Sequence, residues 1–378
     1  MTYPQANPFH YGSPASGEYF ADRKNELAEI VDRMLNGQNV ILLSPRRYGK
    51  TSLLLESIAR VRAKHGRTGY ASLLLCTSPR DVAETLLTAV LNGPLSWLSR
   101  QHQRLSQALS RVRLTPSIEL DASGALRASL ATSSRAIDWK DVLASTLRLL
   151  TDAGEGKRPV SLVLDEFQRV AEIDPNLPAV FKVMADELQR VSLVFSGSKL
   201  HVMEKLAVGP GAPLLGMGER ISLGPVPQTE MVQFLCNRAR DGGKDMPHDA
   251  ARAAFAAVDG IPNDVQRLAY EAFSLAGDAI DAAAVELALA RIVSHRAVDY
   301  EESFTRLAPV QQRVLRSLAR QPRSDVYSRS FLEQVDVANA NSVRKALEVL
   351  SDLELVTQHR AEWTVADTFF RQWLAAAG

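Results

Sequence analysis

The chain has 378 residues, of which 46% are hydrophobic and 23% are charged, and its formal net charge is +1. This composition is enough for a sizeable core in two or three domains, and it argues against a strongly basic nucleic-acid coat. Two cysteines, Cys76 and Cys236, are too few for a disulfide framework or a zinc cluster, so a cytoplasmic location is expected. No apolar run approaches the ~20 residues that a membrane span needs, and no membrane partner is expected.

The first strongly patterned segment begins with the apolar run Val40–Leu43, which predicts a buried strand. Residues 44–52 (SPRRYGKTS) follow as a tight loop, and a helix is predicted over 53–64. A strand, a Gly-Lys-Thr loop and a helix are the context of a phosphate-binding loop, whose N–H groups face an anion. Lys50 would reach the β- and γ-phosphates, and Thr51 would offer its hydroxyl to Mg²⁺.

One position of this loop departs from the G-x-x-x-x-G-K-[ST] pattern, because Ser44 stands where the first glycine is expected. The alternative interpretation is an ordinary helix start, since short motifs alone often match by chance. Arg46 and Arg47 lie within the loop. One of them is expected at a phosphate, and the other at a partner or at the sheet edge.

The next segments continue the alternation of strands and helices. A strand is predicted over Tyr70–Leu75, and helices are predicted at about 80–92 and 138–152. Residues 96–137 form an insertion, in which Ile118–Leu130 is predicted to be a hairpin turning at residues 122–124. Six arginines against two acids give this insertion a charge of +4. Either an anion or partner surface or a solvated helix face explains that excess.

A second motif consists of the apolar run Val160–Leu164 and the acids Asp165 and Glu166. Ligands of doubly wound sheets bind beyond the carboxyl ends of the strands, so Asp165 is expected near the 44–52 loop. There it would hold Mg²⁺ directly or through water. Glu166 is the natural base to orient or deprotonate an attacking water. The alternative is a strand that ends in two solvated acids.

A further strand is predicted over residues 191–198, and it ends in small polar residues. Ser196 or Ser198 is expected to touch the γ-phosphate or the lytic water, unless the segment is a plain turn. Apolar strands alternating with helices predict an α/β fold with a parallel three-layer sheet core.

In these motifs the chain resembles the prokaryotic, archaeal-type P-loop ATPases of the STAND branch of AAA+ proteins. The resemblance covers nearly the whole chain, and the loop form with Ser44 is itself typical of that group. The segments that carry it are residues 7–12 (NPFHYG), 20–27 (FADRKNEL), 44–52, 195–198 (FSGS) and 260–262 (GIP).

The resemblance implies a P-loop ATPase core over 1–224, a helical lid over 225–300 and a winged-helix domain over 301–378. It places the region Phe20 to Arg23 against the adenine and Pro262 in the lid, although Gly-Ile-Pro also serves as helix punctuation. The implied cofactors are ATP or ADP and Mg²⁺, with Thr51 and Asp165 at the metal. The expected nucleotide contacts are Ser44, Pro45, Arg46, Arg47, Tyr48, Gly49, Lys50, Thr51, Ser52, Phe20, Arg23, Ser196, Ser198 and Pro262.

Arg220 lies just before the predicted lid. An arginine there either senses the γ-phosphate, as arginine fingers do, or pairs with Glu219 or another surface acid. With Glu166 and Lys50, it completes the set of predicted catalytic residues.

The C-terminal segment has the order of a winged helix. An amphipathic helix begins at Pro309, a short helix covers Ser330–Val335, a third helix capped by Asn341-Ser342 runs to Leu353, and a hairpin surrounds Arg360. Residues 301–378 carry ten basic and ten acidic residues, a balance that favours a protein-contact or autoinhibitory role over DNA binding. The predicted exposed face of the third helix carries Asn341, Arg344, Lys345 and Glu348.

The sequence therefore supports a slow, Mg²⁺-dependent ATPase that acts as a nucleotide-controlled switch and engages a partner protein or DNA. Two alternatives stay open: a DNA-binding loader or transposition-type ATPase, and a nucleotide-bound scaffold that does not hydrolyse ATP. A nucleotide-dependent oligomer is compatible with each of them.

Overall fold

The computed structural model describes most of the chain as two compact units. The sheet unit comprises Arg23–Ser44 and Lys50–Leu223, and the helical unit comprises Met1–Asp22, Pro45–Gly49 and Gly224–Gly378. The short segment Pro45–Gly49 therefore groups with the second half of the chain. The division at 224 and 300 stays a prediction. The described residues are 7–15, 17–21, 23–96, 116–120, 125–130, 138–153, 158–359 and 361–376.

Strands and helices alternate through the sheet unit. Five strands form a parallel sheet in the order β2-β5-β6-β1-β7, and β3 pairs with β4 in a separate antiparallel hairpin. In chain order the elements are α1 (Lys24–Leu35), β1 (Val40–Leu43), α2 (Lys50–Ala63), β2 (Arg67–Ser72), α3 (Pro79–Asn92), β3 (Pro116–Leu120), β4 (Leu126–Leu130), α4 (Trp139–Ala153), β5 (Val160–Asp165), α5 (Gln168–Ile173), α6 (Leu177–Glu187), β6 (Val191–Gly197), α7 (Leu200–Ala207) and β7 (Glu219–Ser222).

The three central strands β1, β5 and β6 are buried at every position. Parallel strands covered by helices on both faces have this property. Ile41, Leu162 and Phe195 share one core with α3, α4, α6 and α7, while α1 packs against β5 and β6 with its own buried residues. The predicted parallel three-layer core is confirmed.

The strand register brings the carboxyl ends of the sheet together at one edge. Leu43 lies opposite both Gly197 and Ser222, and Ser72 lies opposite Asp165. The prediction that β2 continues to Leu75 was wrong. The strand ends at Ser72, opposite Asp165, the last residue of its neighbour β5, and Leu74 and Leu75 are exposed.

The predicted hairpin of the insertion is present as β3 and β4. Its turn at residues 122–124 lies outside the described residues, as do most of the insertion's arginines, so the +4 surface stays untested. Arg127 is described, and it is exposed.

The helical unit consists of an N-terminal segment, a run of helices and a small C-terminal domain. Asn7 Nδ2 donates to the Tyr270 carbonyl at 2.9 Å, and the His10 N–H donates to Gln266 Oε1 at 3.2 Å, which fixes the N-terminal segment. Its later elements are α8 (Gln228–Asp241), α9 (His248–Ala257), α10 (Pro262–Leu275), α11 (Ala282–His295), α12 (Ala297–Thr305), α13 (Pro309–Arg320), α14 (Arg329–Gln334), α15 (Ala340–Asp352), β8 (Val356–His359), β9 (Glu362–Val365) and α16 (Thr368–Ala376).

The C-terminal domain has three helices, a hairpin and a final helix. The predicted cap at Asn341-Ser342 was wrong, because Asn339 Oδ1 accepts from the Ser342 N–H at 3.0 Å and the helix begins at Ala340. Val343, Ala346, Leu347 and Leu350 of α15 are buried as predicted. The face that was predicted to be exposed is exposed at Asn341, Arg344, Lys345 and Glu348.

The described part of the chain offers no helix with the length and apolar character that crossing a bilayer requires.

Candidate functional site

At the carboxyl ends of the parallel strands, a lysine is paired with two acids. Lys50 is the first residue of α2 and is 7% exposed. Its Nζ lies 2.8 Å from Asp165 Oδ1 and 3.0 Å from Glu166 Oε1. Asp165 is the last residue of β5, so the consecutive acids follow directly from the end of a buried strand.

Asp165 is the most densely hydrogen-bonded member of this group. Ser196 Oγ donates to its Oδ1 at 2.6 Å, and Tyr70 OH and Thr51 Oγ1 donate to its Oδ2 at 2.8 and 3.2 Å. Burial alone would raise the pKa of Asp165, but the Lys50 ammonium and these hydrogen bonds hold that pKa below its ordinary value. Asp165 is therefore a carboxylate at neutral pH.

Glu166 lies beside it in an unusual backbone conformation, with a φ of 58°. Non-glycine residues adopt this left-handed region at a cost and are held there by their surroundings. Ser198 Oγ and Gln168 Nε2 donate to Glu166 Oε2 at 2.8 and 2.6 Å. Burial opposes the charge, yet Lys50, Gln168 and Ser198 keep the pKa of Glu166 below its ordinary value.

We call Lys50, Thr51, Tyr70, Asp165, Glu166, Ser196 and Ser198 the strand-end cluster. The structure brings together four residues predicted from the two central motifs, Lys50, Thr51, Asp165 and Glu166, and both serines of the third. The serines bond to the carboxylates in this structure.

Sequence reasoning missed Tyr70 and Gln168. Tyr70 was assigned to the strand without a role, although its register opposite Val163 sets it near the strand end. Burial and the neighbouring Asp165 raise the pKa of Tyr70, so its hydroxyl stays a donor. For Gln168 the sequence held no signal beyond its place two residues after Glu166.

The donor set suits a magnesium ion. Thr51 Oγ1 and Asp165 Oδ2 are adjacent hard oxygen atoms, and Mg²⁺ in nucleotide sites takes one or two protein oxygens together with phosphate and water. The described residues contain no group of three or more His, Cys, Asp or Glu placed to hold a metal. The cluster thus fits a metal that arrives with phosphates better than an all-protein metal cage.

The loop between β1 and α2 explains why Ser44 replaces a glycine. Ser44 is buried and is not among the described residues with positive φ, so this position does not require glycine. Gly49 has a φ of 81°, and a Cβ there would meet open space. Glycine is favoured at position 49 by conformation and not by crowding.

Two arginines of the same loop contact acids of the helical unit. Arg47 Nη2 lies 2.8 Å from Asp367 Oδ2, and its Nη1 lies 3.5 Å from Asp264 Oδ2. Arg46 Nη1 lies 2.5 Å from Glu354 Oε2. One of the arginines was predicted to contact phosphate, and here both contact carboxylates.

Further polar contacts surround Arg47. Arg296 Nη1 lies 3.0 Å from the same Asp367 oxygen, and Thr368 Oγ1 donates to Asp264 Oδ2 at 2.9 Å. We call Arg47, Asp264, Arg296, Asp367 and Thr368 the arginine cluster.

The pKa values of the two acids in the arginine cluster shift in opposite directions. Burial opposes the charge of Asp367, but Arg47 and nearby backbone N–H groups hold its pKa below the ordinary value. Burial raises the pKa of Asp264 above its ordinary value, although Arg47 and Thr368 oppose that shift. Asp264 therefore loses its proton at a higher pH than Asp367 does.

The remaining predicted residues lie apart from the strand-end contacts. Arg220 is exposed on β7 opposite Ile41, two positions before the strand end, and Glu219 pairs with Arg33 instead. Arg23 is buried and paired with Glu26 at 3.0 Å.

Four more of the residues predicted to contact nucleotide have described positions in the structure. Phe20 is half-buried, and Pro262 is the first residue of α10 after Gly260, whose φ is 65°. Tyr48 and Ser52 are buried. The nucleotide roles of all four stay predictions.

The parallel sheet, the loop after β1 and the acids at the end of β5 together form a P-loop fold. A family model described as "Probable winged helix domain" matches residues 298–376.

Two solved structures are similar over nearly their whole length. The Walker-type ATPase PABY2304 of Pyrococcus abyssi is 18% identical with a TM-score of 0.63, over 94% of this chain and 96% of that one. The ORC2 protein of Aeropyrum pernix, solved as ADPNP and ADP complexes, is 15% identical with a TM-score of 0.52, over 95% of each chain. No curated protein sequence matches the chain. At these identities the likeness is one of fold.

Proposed function

We propose that this protein binds Mg·ATP, hydrolyses it slowly and uses the bound nucleotide as a switch that controls a partner protein or DNA. One observation carries the proposal: the buried Lys50 ammonium is held by two ionised acids beside Thr51 at the carboxyl edge of a parallel sheet. This edge is where ligands of such sheets bind.

Four residues of the strand-end cluster then have a role in this reaction. Lys50 would exchange its carboxylate partners for phosphate oxygens, and Thr51 and Asp165 would hold a magnesium ion, which would neutralise charge on the phosphates. Glu166 orients the attacking water and accepts its proton.

The arginine cluster supports the switch part of the proposal. Arg46 and Arg47 belong to the predicted phosphate loop, and their side chains contact Glu354 and Asp367 of the C-terminal domain. A change in the loop on nucleotide binding would disturb these ion pairs and so alter the packing of that domain. This coupling fits the STAND subgroup.

Phosphate release measures the enzymatic claim directly. Wild-type protein should release phosphate from Mg·ATP, and Glu166→Gln should bind ATP but lose about 100-fold or more of that rate. Lys50→Ala should abolish nucleotide binding. Wild-type binding without release would favour the scaffold, and unchanged affinity in Lys50→Ala would refute the loop assignment.

Limited proteolysis tests the switch. Cleavage patterns with ADP and with a non-hydrolysable ATP analogue should differ at the C-terminal domain, because the loop contacts change with the γ-phosphate. Identical patterns would count against a switch. Strong, salt-dependent duplex binding would instead identify DNA as the partner.

A further inference from the structure

Gln168 is buried against the acid that the proposed reaction uses as its base. It is the first residue of α5 and is 2% exposed. Its Nε2 donates to Glu166 Oε2 at 2.6 Å. Ser198 reaches the same oxygen through its Oγ at 2.8 Å and its backbone N–H at 3.3 Å.

The amide of Gln168 is fixed by packing. A Cβ at Gly197 would lie 2.2 Å from Gln168 Oε1, so the amide lies directly against the backbone at the end of β6. Oε1 itself is buried and has no hydrogen-bond partner within the part of the chain that the structure describes. Buried amide oxygens normally accept a hydrogen bond. In Gln168 the oxygen lacks one within the described residues, while the nitrogen of the same amide donates to Glu166.

The two oxygens of Glu166 are held differently. Oε2 accepts from Gln168 and Ser198, whereas Oε1 accepts from Lys50 alone among the described residues, at 3.0 Å. When Lys50 turns to phosphate, Oε1 loses its donor while Oε2 keeps both of its own. The carboxylate then presents one free oxygen in a fixed orientation.

We propose that Gln168 is a positioning residue: by holding Glu166 Oε2 it leaves Oε1 free to accept the proton of the attacking water. This inference rests on the proposed function. Glu166 also has a left-handed backbone, with a φ of 58°, an uncommon conformation that its surroundings must hold in place.

The substitution Gln168→Met keeps the length of the side chain and removes the donor. We expect kcat to fall about 10- to 100-fold because the base is no longer oriented, with KM for ATP nearly unchanged. The acid limb of the kcat–pH profile should move to higher pH, because Glu166 loses a donor to its ionised form. Ser198→Ala should shift that limb in the same direction. Gln189→Met, at an exposed position of the same unit, is the matched control.

A second readout does not depend on turnover. In nucleotide-free protein with ¹³C-labelled glutamate, the Glu166 carboxyl signal, assigned with Glu166→Gln, should titrate at higher pH in Gln168→Met than in wild type. ADP affinity equal to wild type would show that the variant is folded.

The outcomes separate the two proposals. If wild-type protein turns over ATP but Gln168→Met keeps the wild-type kcat, acid limb and Glu166 titration, the positioning role is overturned and the ATPase is not. If wild-type protein releases no phosphate, the proposed function fails and the catalytic meaning of Gln168 fails with it.

Discussion

The two charged clusters are built from cations only three positions apart in the sequence, yet their acids have different origins. Lys50 is held by consecutive residues, Asp165 and Glu166, at the end of one strand. Arg47 is held by Asp264 of α10 and by Asp367, which precedes α16. The strand-end cluster is therefore fixed by the sheet register, whereas the arginine cluster exists only while separate helices stay packed.

The chemistry of the two cations follows the same division. The Lys50 ammonium is a compact charge whose donors can turn from carboxylate to phosphate, whereas the planar guanidinium of Arg47 spans two acids. Neighbouring positions of one segment therefore carry one cation suited to binding a ligand, Lys50, and another that pairs with acids of packed helices, Arg47.

The largest expected effect separates the two cations by nucleotide affinity. Lys50→Met should weaken ADP or ATP binding by about 100-fold or more, since it removes the charge that faces phosphate. Arg47→Met should change it by less than about tenfold, because its side chain contacts carboxylates. Titration calorimetry on both variants gives the two dissociation constants. Equal losses of affinity would contradict the proposed difference between Lys50 and Arg47.

The next effect concerns stability. Asp367→Asn should lower the free energy of unfolding by about 2–3 kcal/mol, because it leaves two partly buried arginines without their shared partner. Asp259→Asn breaks the more exposed pair with Arg371 and should cost about 0–1 kcal/mol. Urea denaturation of both variants measures the two losses. If Asp367→Asn lowers the free energy of unfolding by no more than Asp259→Asn does, the arginine cluster does not stabilise the fold.

The pH dependence of stability should have opposite signs at Asp165 and at Asp264. The depressed pKa of Asp165 contributes stability above the unfolded carboxylate value, and that contribution is lost as pH falls through the folded value. The raised pKa of Asp264 contributes stability at low pH that is lost as pH rises.

Relative to wild type, Asp264→Asn should therefore gain stability, and Asp165→Asn should lose it, as pH rises from 3 to neutrality. The changes should be on the order of 1 kcal/mol. Thermal melts across that range measure both, and parallel trends would contradict the assignment of opposite shifts.

The smallest effect is expected at Ser44. Ser44→Gly should change nucleotide affinity by less than about twofold. It should lower the free energy of unfolding by about 1 kcal/mol, mainly because glycine raises the conformational entropy of the unfolded chain. A gain in affinity would mean that the loop does benefit from glycine there.

The fold and the strand-end cluster were largely predictable because their signals are local. Apolar strands, Gly49-Lys50-Thr51 and Asp165-Glu166 each lie within a few residues, and the sheet's parallel register brings them to one edge. The contacts of Arg47 were not predictable, because Asp264 and Asp367 come from distant helices. Gln168 was missed since its role depends on packing against Gly197. The cap of α15 was misplaced because two asparagines, Asn339 and Asn341, both suit the position.

The position of β1 in the sheet has a consequence for synthesis on the ribosome. β1 takes its hydrogen-bonding partners from residues 191–197 and 219–222, so the strand leaves the exit tunnel long before either neighbour exists. At translation speeds of about 5–20 residues per second, Val40–Leu43 stays unpaired for roughly 8–30 seconds until residues 191–197 have been synthesised. A nascent chain stalled before residue 191 is made should therefore be bound by chaperones. A chain stalled after residue 222 has left the exit tunnel should be bound much less.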